Sequence, residues 1–323
     1  MLSAIQIQRL NTLLKLAIGG ACLWFLYHEL FVKQEFGTLW QQFTQIEFST
    51  SKYLLVALAG LLVFINWGLE SSKWKMLIST IEKVSWVTAF KAVISGITIS
   101  LFTPNRVGEF AARIFYLQSN HRIKGVLISI IGSLSQFCIT IVVGSFSFTY
   151  FLIEHQDFNT IEQALVLIVP FVLSFGIIIL YFNMDLFRSL LLKINRGRKA
   201  RIYLNVFTFY NARQLMQILM LSGLRFIVFS LQYYLLFQFF DIHIPFFTSV
   251  MLTSSIFFVL AIIPTIALAE LGIRGVTAIY FLKYYTSNEL NMLSASYGLW
   301  CINLAFPALL GLVFLSQLNF FKK

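Results

Sequence analysis

The feature that most limits what this chain can fold into is the recurrence of long stretches without a charged residue, at 53–69, 126–153, 163–182, 246–268 and 290–321. About 20 apolar residues in helical form cross a hydrocarbon layer roughly 30 Å thick, and most of these stretches are that long. A soluble fold has no interior large enough to hold them. Of the 323 residues 59% are hydrophobic and 11% charged, where about 25% charged is usual, and the mean hydropathy is +0.81. The sequence therefore predicts an all-α polytopic membrane protein.

A further candidate span at 12–32 has Lys15 and Glu29 near its ends, where long side chains reach the headgroups. It reads as a retained helix. The competing reading is a cleaved secretory signal, but Gly19-Gly20-Ala21-Cys22 is followed by more apolar residues and offers no clear cleavage site. Cys22, Cys138 and Cys301 each lie alone inside an apolar stretch, as packing residues do, with no spacing that suggests a metal site or a disulfide framework.

On a soluble chain the formal net charge of +11 would invite a nucleic-acid reading; here its placement argues for a membrane and no nucleic acid. Seven bases (Arg188, Lys193, Arg196, Arg198, Lys199, Arg201 and Arg213) and one acid, Asp185, fall within 183–214, whereas the loop at 154–162 has three acids and no Lys or Arg. Bases gather on the cytoplasmic side. With the N-terminus inside, as Arg9 and Lys15 suggest, spans at 12–32 and 53–69 leave Lys73, Lys75 and Lys83 in the cytoplasm.

Two segments break the simple alternation. Residues 86–102 are apolar apart from Lys91, yet run straight into Thr103-Pro104-Asn105-Arg106-Val107-Gly108-Glu109-Phe110-Ala111-Ala112-Arg113 and then a second basic cluster at Arg122 and Lys124. A lipid-facing return through 104–120 would take Arg106, Glu109 and Arg113 into the bilayer, at about 2.5–3.5 kcal/mol for each charge at the centre. A pair of half-helices that dips in from the cytoplasm, turns at Pro104 and comes back meets both constraints. The pattern repeats where 246–263 runs into Pro264 and then Glu270-Leu271-Gly272-Ile273-Arg274. Charge balance then gives about six full transmembrane helices plus two re-entrant half-helix pairs, dipping from opposite sides, with both termini cytoplasmic.

On this reading residues 1–323 form a single membrane domain. Halves of opposite orientation lie at about 53–153 and 214–318, joined by a span at 163–182 and a basic cytoplasmic loop at 183–213. This is the pattern of an inverted repeat, which in transporters places a binding site near the midplane. The charged cores of the two halves have their signs swapped, so Arg106 is expected to face Glu270 and Glu109 to face Arg274. Arg113 and Arg225 are then left over, and an arginine fork suits phosphate. The expected lipid-headgroup residues are Arg106, Arg113, Arg225 and Arg274, with Glu109 and Glu270 as buried charge partners. Arg225 as a structural cation tied to Glu70 or to a backbone carbonyl is the competing reading. Pro104 and Pro264 are assigned to turns, and Gly108 and Gly272 to turns or close packing.

The run from Thr103 through Arg113 resembles the Pro-x-Arg-hydrophobic-Gly-Glu segment of the lysylphosphatidylglycerol synthase transmembrane (flippase-like) family. Leu271-Gly272-Ile273-Arg274-Gly275 is similar to that family's later Gly-hydrophobic-Arg-Glu segment. Family members often have Pro-Gly-Gly before that second glycine and Glu directly after the arginine; here Ala267-Leu268-Ala269-Glu270 precedes it and Gly275 follows, so Glu270 is the candidate for the displaced acid. The resemblance covers roughly 10–318. It implies a bacterial cytoplasmic (inner) membrane protein with inverted re-entrant helices that moves a phospholipid or polyprenyl-linked lipid between leaflets. It does not imply synthesis of the aminoacylated lipid, which in bifunctional members resides in a C-terminal acyltransferase domain.

The expected function is thus a flippase-like carrier whose partners are the bilayer and an anionic phospholipid or polyprenyl-linked lipid, with no cofactor and no metal; a homo-oligomer is left open. The alternative is an enzyme or accessory subunit of lipid-linked glycan or aminoacyl-lipid metabolism. Against catalysis, His28, His121, His155 and His243 sit near span ends and never in pairs, and no Asp-x-Asp pattern occurs.

Overall fold

Apolar stretches become helices here because a backbone inside hydrocarbon must satisfy its own hydrogen bonds. A computed structural model describes residues 49–101, 103, 106–194, 197–263 and 267–318, with isolated positions between 9 and 28. Most of the candidate span at 12–32, together with Cys22, Arg196, and Pro104 and Pro264 with the turns assigned to them, lies outside the described residues.

The chain forms α1 (Thr50–Ile78), α2 (Trp86–Ser100), the short α3 (Gly108–Arg113), α4 (Arg122–His155) and α5 (Thr160–Phe182). There follow α6 (Met184–Ile194), α7 (Arg198–Leu204), α8 (Ala212–Phe239), α9 (Phe246–Ile262), α10 (Ala267–Leu282) and α11 (Glu289–Ser316), which widens into a π-type turn at Cys301–Ala305. Among the described residues there is no strand. Polar caps start the long helices where the sequence supplies them. Ser49 caps α1 and Ser85 caps α2, while Asn159 with Glu162 and Asn211 with Gln214 form reciprocal capping boxes on α5 and α8.

Helices α1, α4, α5, α8 and α11 are long and apolar enough to cross a membrane. They coincide with five of the six spans expected. Helices α2 and α9 are not long enough: their 15 and 17 residues reach about 22–26 Å at 1.5 Å per residue, short of a roughly 30 Å core. Both bury hydroxyls, Ser95, Thr98 and Ser100 on α2 and Ser249, Thr253, Ser254 and Ser255 on α9. Those on α2 find acceptors; Thr98 Oγ1, for example, donates to Ala308 O at 2.8 Å.

The packing is reciprocal. Helix α1 lies along α8 in the most extensive helix contact, and each short helix packs on a long helix remote in the chain, α9 on α4 and α2 on the C-terminal part of α11. One glycine opens each of these two contacts. A Cβ on Gly144 would stand 2.6 Å from Phe258 Cβ and 2.8 Å from Ser254 O; a Cβ on Gly311 would meet Thr98 Oγ1 and stand 2.5 Å from Ile94 O. Two apolar cores result, one around Trp74, Ile94 and Ile128 and one around Phe237, Ile256 and Phe281. Helix α5 packs mainly on α4 and turns Ile168, Phe171, Val172 and Phe175 outward, as a lipid-facing helix does. Helices α6 and α7 are short and amphipathic, with Leu190, Ile194 and Ile202 exposed among the basic residues of this segment.

Candidate functional site

The charges that the sequence places inside apolar segments converge on one region. Arg106 begins it. Its φ of 57° is in the left-handed region, which costs a residue with a Cβ about 1–2 kcal/mol. The turn around it is tied by Thr103: Arg106 N donates to Thr103 O at 3.1 Å, and Gly108 N donates to Thr103 Oγ1 at 2.8 Å. Gly108 is a close-approach position, since an added Cβ would lie 2.7 Å from Ile99 O and from Thr103 Oγ1. So held, the Arg106 guanidinium reaches across and donates to Glu270 at the start of α10, the cross-half pair expected from the swapped signs.

The second expected pair is not formed. Glu109 accepts from Arg113 on its own short helix, and Arg274 donates to Glu270 through Nε at 3.0 Å and Nη2 at 2.9 Å. The reason is local geometry. Both pairs are spaced i, i+4, which brings side chains together on one helix face without any interhelical register. Gly272, assigned to a turn or close packing, has no atom of the described residues outside its own helix backbone within 4 Å of a Cβ built there, and Gly275 takes the tight contact instead, 2.5 Å from Tyr297 Oη and 2.8 Å from Leu293 Cδ2.

Arg113 and Arg225 are not left over either. Both donate to Glu70 on α1, Arg113 Nη2 to Oε1 at 3.0 Å and Arg225 Nη1 to Oε2 at 3.0 Å. Lys73 stands 2.8 Å from the same Oε2 and also donates to Gly132 O and Ser222 Oγ. One buried carboxylate thus gathers three cations from α1, α3 and α8. Arg113 is 3% exposed and boxed between Glu70 and Glu109, so it stands behind the site rather than in it. Its Nε is buried without an acceptor among the described residues.

Beyond Arg225 a line of amides runs through the centre. Arg225 Nε donates to Asn66 Oδ1 at 2.7 Å, Asn66 Nδ2 to Asn303 Oδ1 at 2.7 Å, Asn303 Nδ2 to Gln232 Oε1 at 3.1 Å, and Gln232 Nε2 to Ala59 O at 3.2 Å. Each amide both donates and accepts, which is the condition for burying them at low cost. Asn303 lies in the π-type turn of α11, a distortion often found at functional sites.

Arg225 and Asn303 border a cavity of about 200 Å³. Arg106, Arg225 and Arg274 line it with Gln136 and Asn303, and Trp67, Phe226, Phe229 and Phe257 form apolar walls. The Arg225 guanidinium lies over Trp67 at 4.9 Å and Phe229 at 5.2 Å from the ring centroids, which fixes its plane. Three of the four arginines read from the sequence thus share one cavity. The contact of Arg225 with Glu70 is the one that the competing reading of Arg225 named, whereas Lys73 and the amides Asn66, Gln232 and Asn303 were not among the expected site residues; the signal for Lys73 was its spacing of three from Glu70 on a helix that continues past residue 69. Among the described residues no group of three His, Cys, Asp or Glu side chains could hold a metal ion.

Membrane-length helices packed around a shared network of ion pairs and a small polar cavity define a multi-pass membrane protein with an intramembrane ionic site. The chain belongs to the family described as the lysylphosphatidylglycerol synthase TM region, whose sequence model matches residues 12–311, nearly its whole length. It is accordingly a membrane protein of lipid metabolism or transport, in contact with the bilayer. No curated protein and no solved structure matches it.

Proposed function

We propose that this chain is a flippase-like carrier that receives an anionic lipid headgroup in the arginine-lined cavity and passes it between leaflets. The observation that carries the reading is the convergence of Arg106, Arg225 and Arg274, from three separate segments, on one cavity with aromatic walls. Guanidinium groups supply planar forks for phosphate oxygens, and the rings suit the first carbons of a lipid chain.

The short helices α2 and α9 are read as the first arms of two re-entrant pairs, α2 with α3 and α9 with α10. Their reciprocal packing on α11 and α4 supports a pseudo-twofold relation between halves at about 53–153 and 214–318, because a twofold pairs i with j and j with i. Alternating access would then be a rocking of one half on the other around the ion cluster. The chain is read as a carrier rather than an enzyme because Glu70, Glu109 and Glu270 are all engaged by cations and none is held toward a reacting group. The proposed setting is the bacterial cytoplasmic membrane with both termini inside.

The test is transport of fluorescent anionic and zwitterionic lipids in reconstituted liposomes. Wild type should move the anionic probe, Arg225→Gln should lose at least ten-fold in rate at matched insertion, and Arg225→Lys should keep an intermediate rate. Equal rates for wild type and empty liposomes would sink the proposal.

A further inference from the structure

We infer that the headgroup for which this cavity is built is a doubly charged phosphate monoester, and not the singly charged diester of an ordinary phospholipid. This rests on the carrier reading above and narrows its cargo. The first argument is charge. Lys73, Arg106, Arg113, Arg225 and Arg274 meet only Glu70, Glu109 and Glu270, so among the described residues the cluster holds two more positive than negative charges. An excess of buried charge is unfavourable until an occupant cancels it, and a dianion cancels this one in full.

The second argument is the number of donors. Each cavity arginine keeps part of its fork unused by the bonds it makes to the described residues. Arg225 commits Nε and Nη1, Arg274 commits Nε and Nη2, and Arg106 commits Nη2. Arg225 Nη2, Arg274 Nη1, and Arg106 Nε and Nη1 are what remain to face a ligand. A terminal phosphate offers three non-bridging oxygens, one for each arginine. A diester offers two.

The third argument is pH. Arg106, Arg225 and Arg274 are the charged groups that line the cavity, Lys73, Arg113, Glu70, Glu109 and Glu270 are the charged groups paired with or behind them, and among the described residues no histidine lines it. A monoester takes up a proton near pH 6, whereas a diester stays singly charged throughout. Binding of a monoester should therefore weaken on acidification while binding of a diester to the same protein reports any change in the protein itself.

The experiment uses the full chain in nanodiscs of phosphatidylcholine, titrated with dodecyl phosphate, phosphatidylglycerol and inorganic phosphate at pH 7.5 and 5.0, with binding read by calorimetry. At pH 7.5 dodecyl phosphate should bind at least ten-fold tighter than phosphatidylglycerol, and this ratio should shrink several-fold at pH 5.0. Arg274→Gln, which removes one of the two excess charges, should narrow the preference further. A diester bound as tightly as the monoester, or a ratio that does not change with pH, overturns the dianion assignment and leaves the carrier reading standing. Inorganic phosphate binding as tightly as dodecyl phosphate supports the phosphate chemistry but overturns the lipid cargo. No binding of either amphiphile overturns both.

Discussion

Glu70 is the side chain on which the polar interior most depends, because its two oxygens hold Lys73, Arg113 and Arg225 at 2.8–3.0 Å while it is itself 5% exposed. Removing one partner of a buried ion pair leaves the other uncompensated, at about 3–5 kcal/mol. Glu70→Gln should therefore lower the unfolding free energy by about 3–5 kcal/mol, read as a fall in the thermal unfolding midpoint in detergent, and Lys73→Met added to it should restore part of the loss. A Glu70→Gln protein as stable as wild type would show that the cluster is solvated and the pairing unimportant. At this scale the sequence was only partly legible. Arg106 and Arg274 sit where a charge has no structural excuse, which is why they could be named. Lys73 sits just past an uncharged stretch and next to Lys75, so it reads as the cytoplasmic edge of a span, and Glu70 beside it was named only as the partner in the competing reading of Arg225. Only the continuation of α1 to Ile78 and the approach of α3 and α8 show that they are interior.

Helix packing depends on a few positions where two backbones come close. Gly144 and Gly311 each face a short helix remote in the chain, with main-chain oxygens of Ser254 and Ile94 too near for a methyl group. A backbone cannot swing aside as a long side chain can, so Gly144→Ala and Gly311→Ala should each cost about 1–3 kcal/mol. Among the described residues Gly272 has open space around it, so Gly272→Ala should be neutral or stabilising by up to about 1 kcal/mol from helix propensity alone. Thermal unfolding of the three variants side by side checks this, and a Gly272→Ala as damaging as Gly144→Ala would contradict the assigned packing. The existence and type of the elements were readable, since uncharged length determines a membrane helix almost alone. Which glycine packs was not, because Gly272 and Gly275 lie one helical turn apart and rotation about the α10 axis decides between them.

For the whole molecule, the charge asymmetry predicts an orientation that labelling can check. In a background without Cys22, Cys138 and Cys301, a cysteine at Asp157 should react with a membrane-impermeant maleimide in intact cells, and one at Lys199 only after permeabilisation. The reverse pattern would invert the expected topology. The orientation follows from Lys and Arg staying in the cytoplasm during insertion, so it is carried by loop composition and needs no tertiary contact.

The sequence by itself determined that this chain is a bundle of membrane-crossing helices interrupted by two short apolar arms, because hydrophobic length and the cost of charge in hydrocarbon act on each segment independently. It also determined that Arg106, Arg225 and Arg274 needed partners. Only the tertiary structure decided what those partners are. Arg106 crosses to Glu270 as the sign pattern suggests, but Glu109 and Arg274 turn back to neighbours on their own helices, and Arg113 and Arg225 meet on Glu70. Ion pairing is set by distances of about 3 Å between atoms from remote segments, and a linear pattern of signs allows several such pairings. Helix rotation and the close approach of α1, α3 and α8 select one of them.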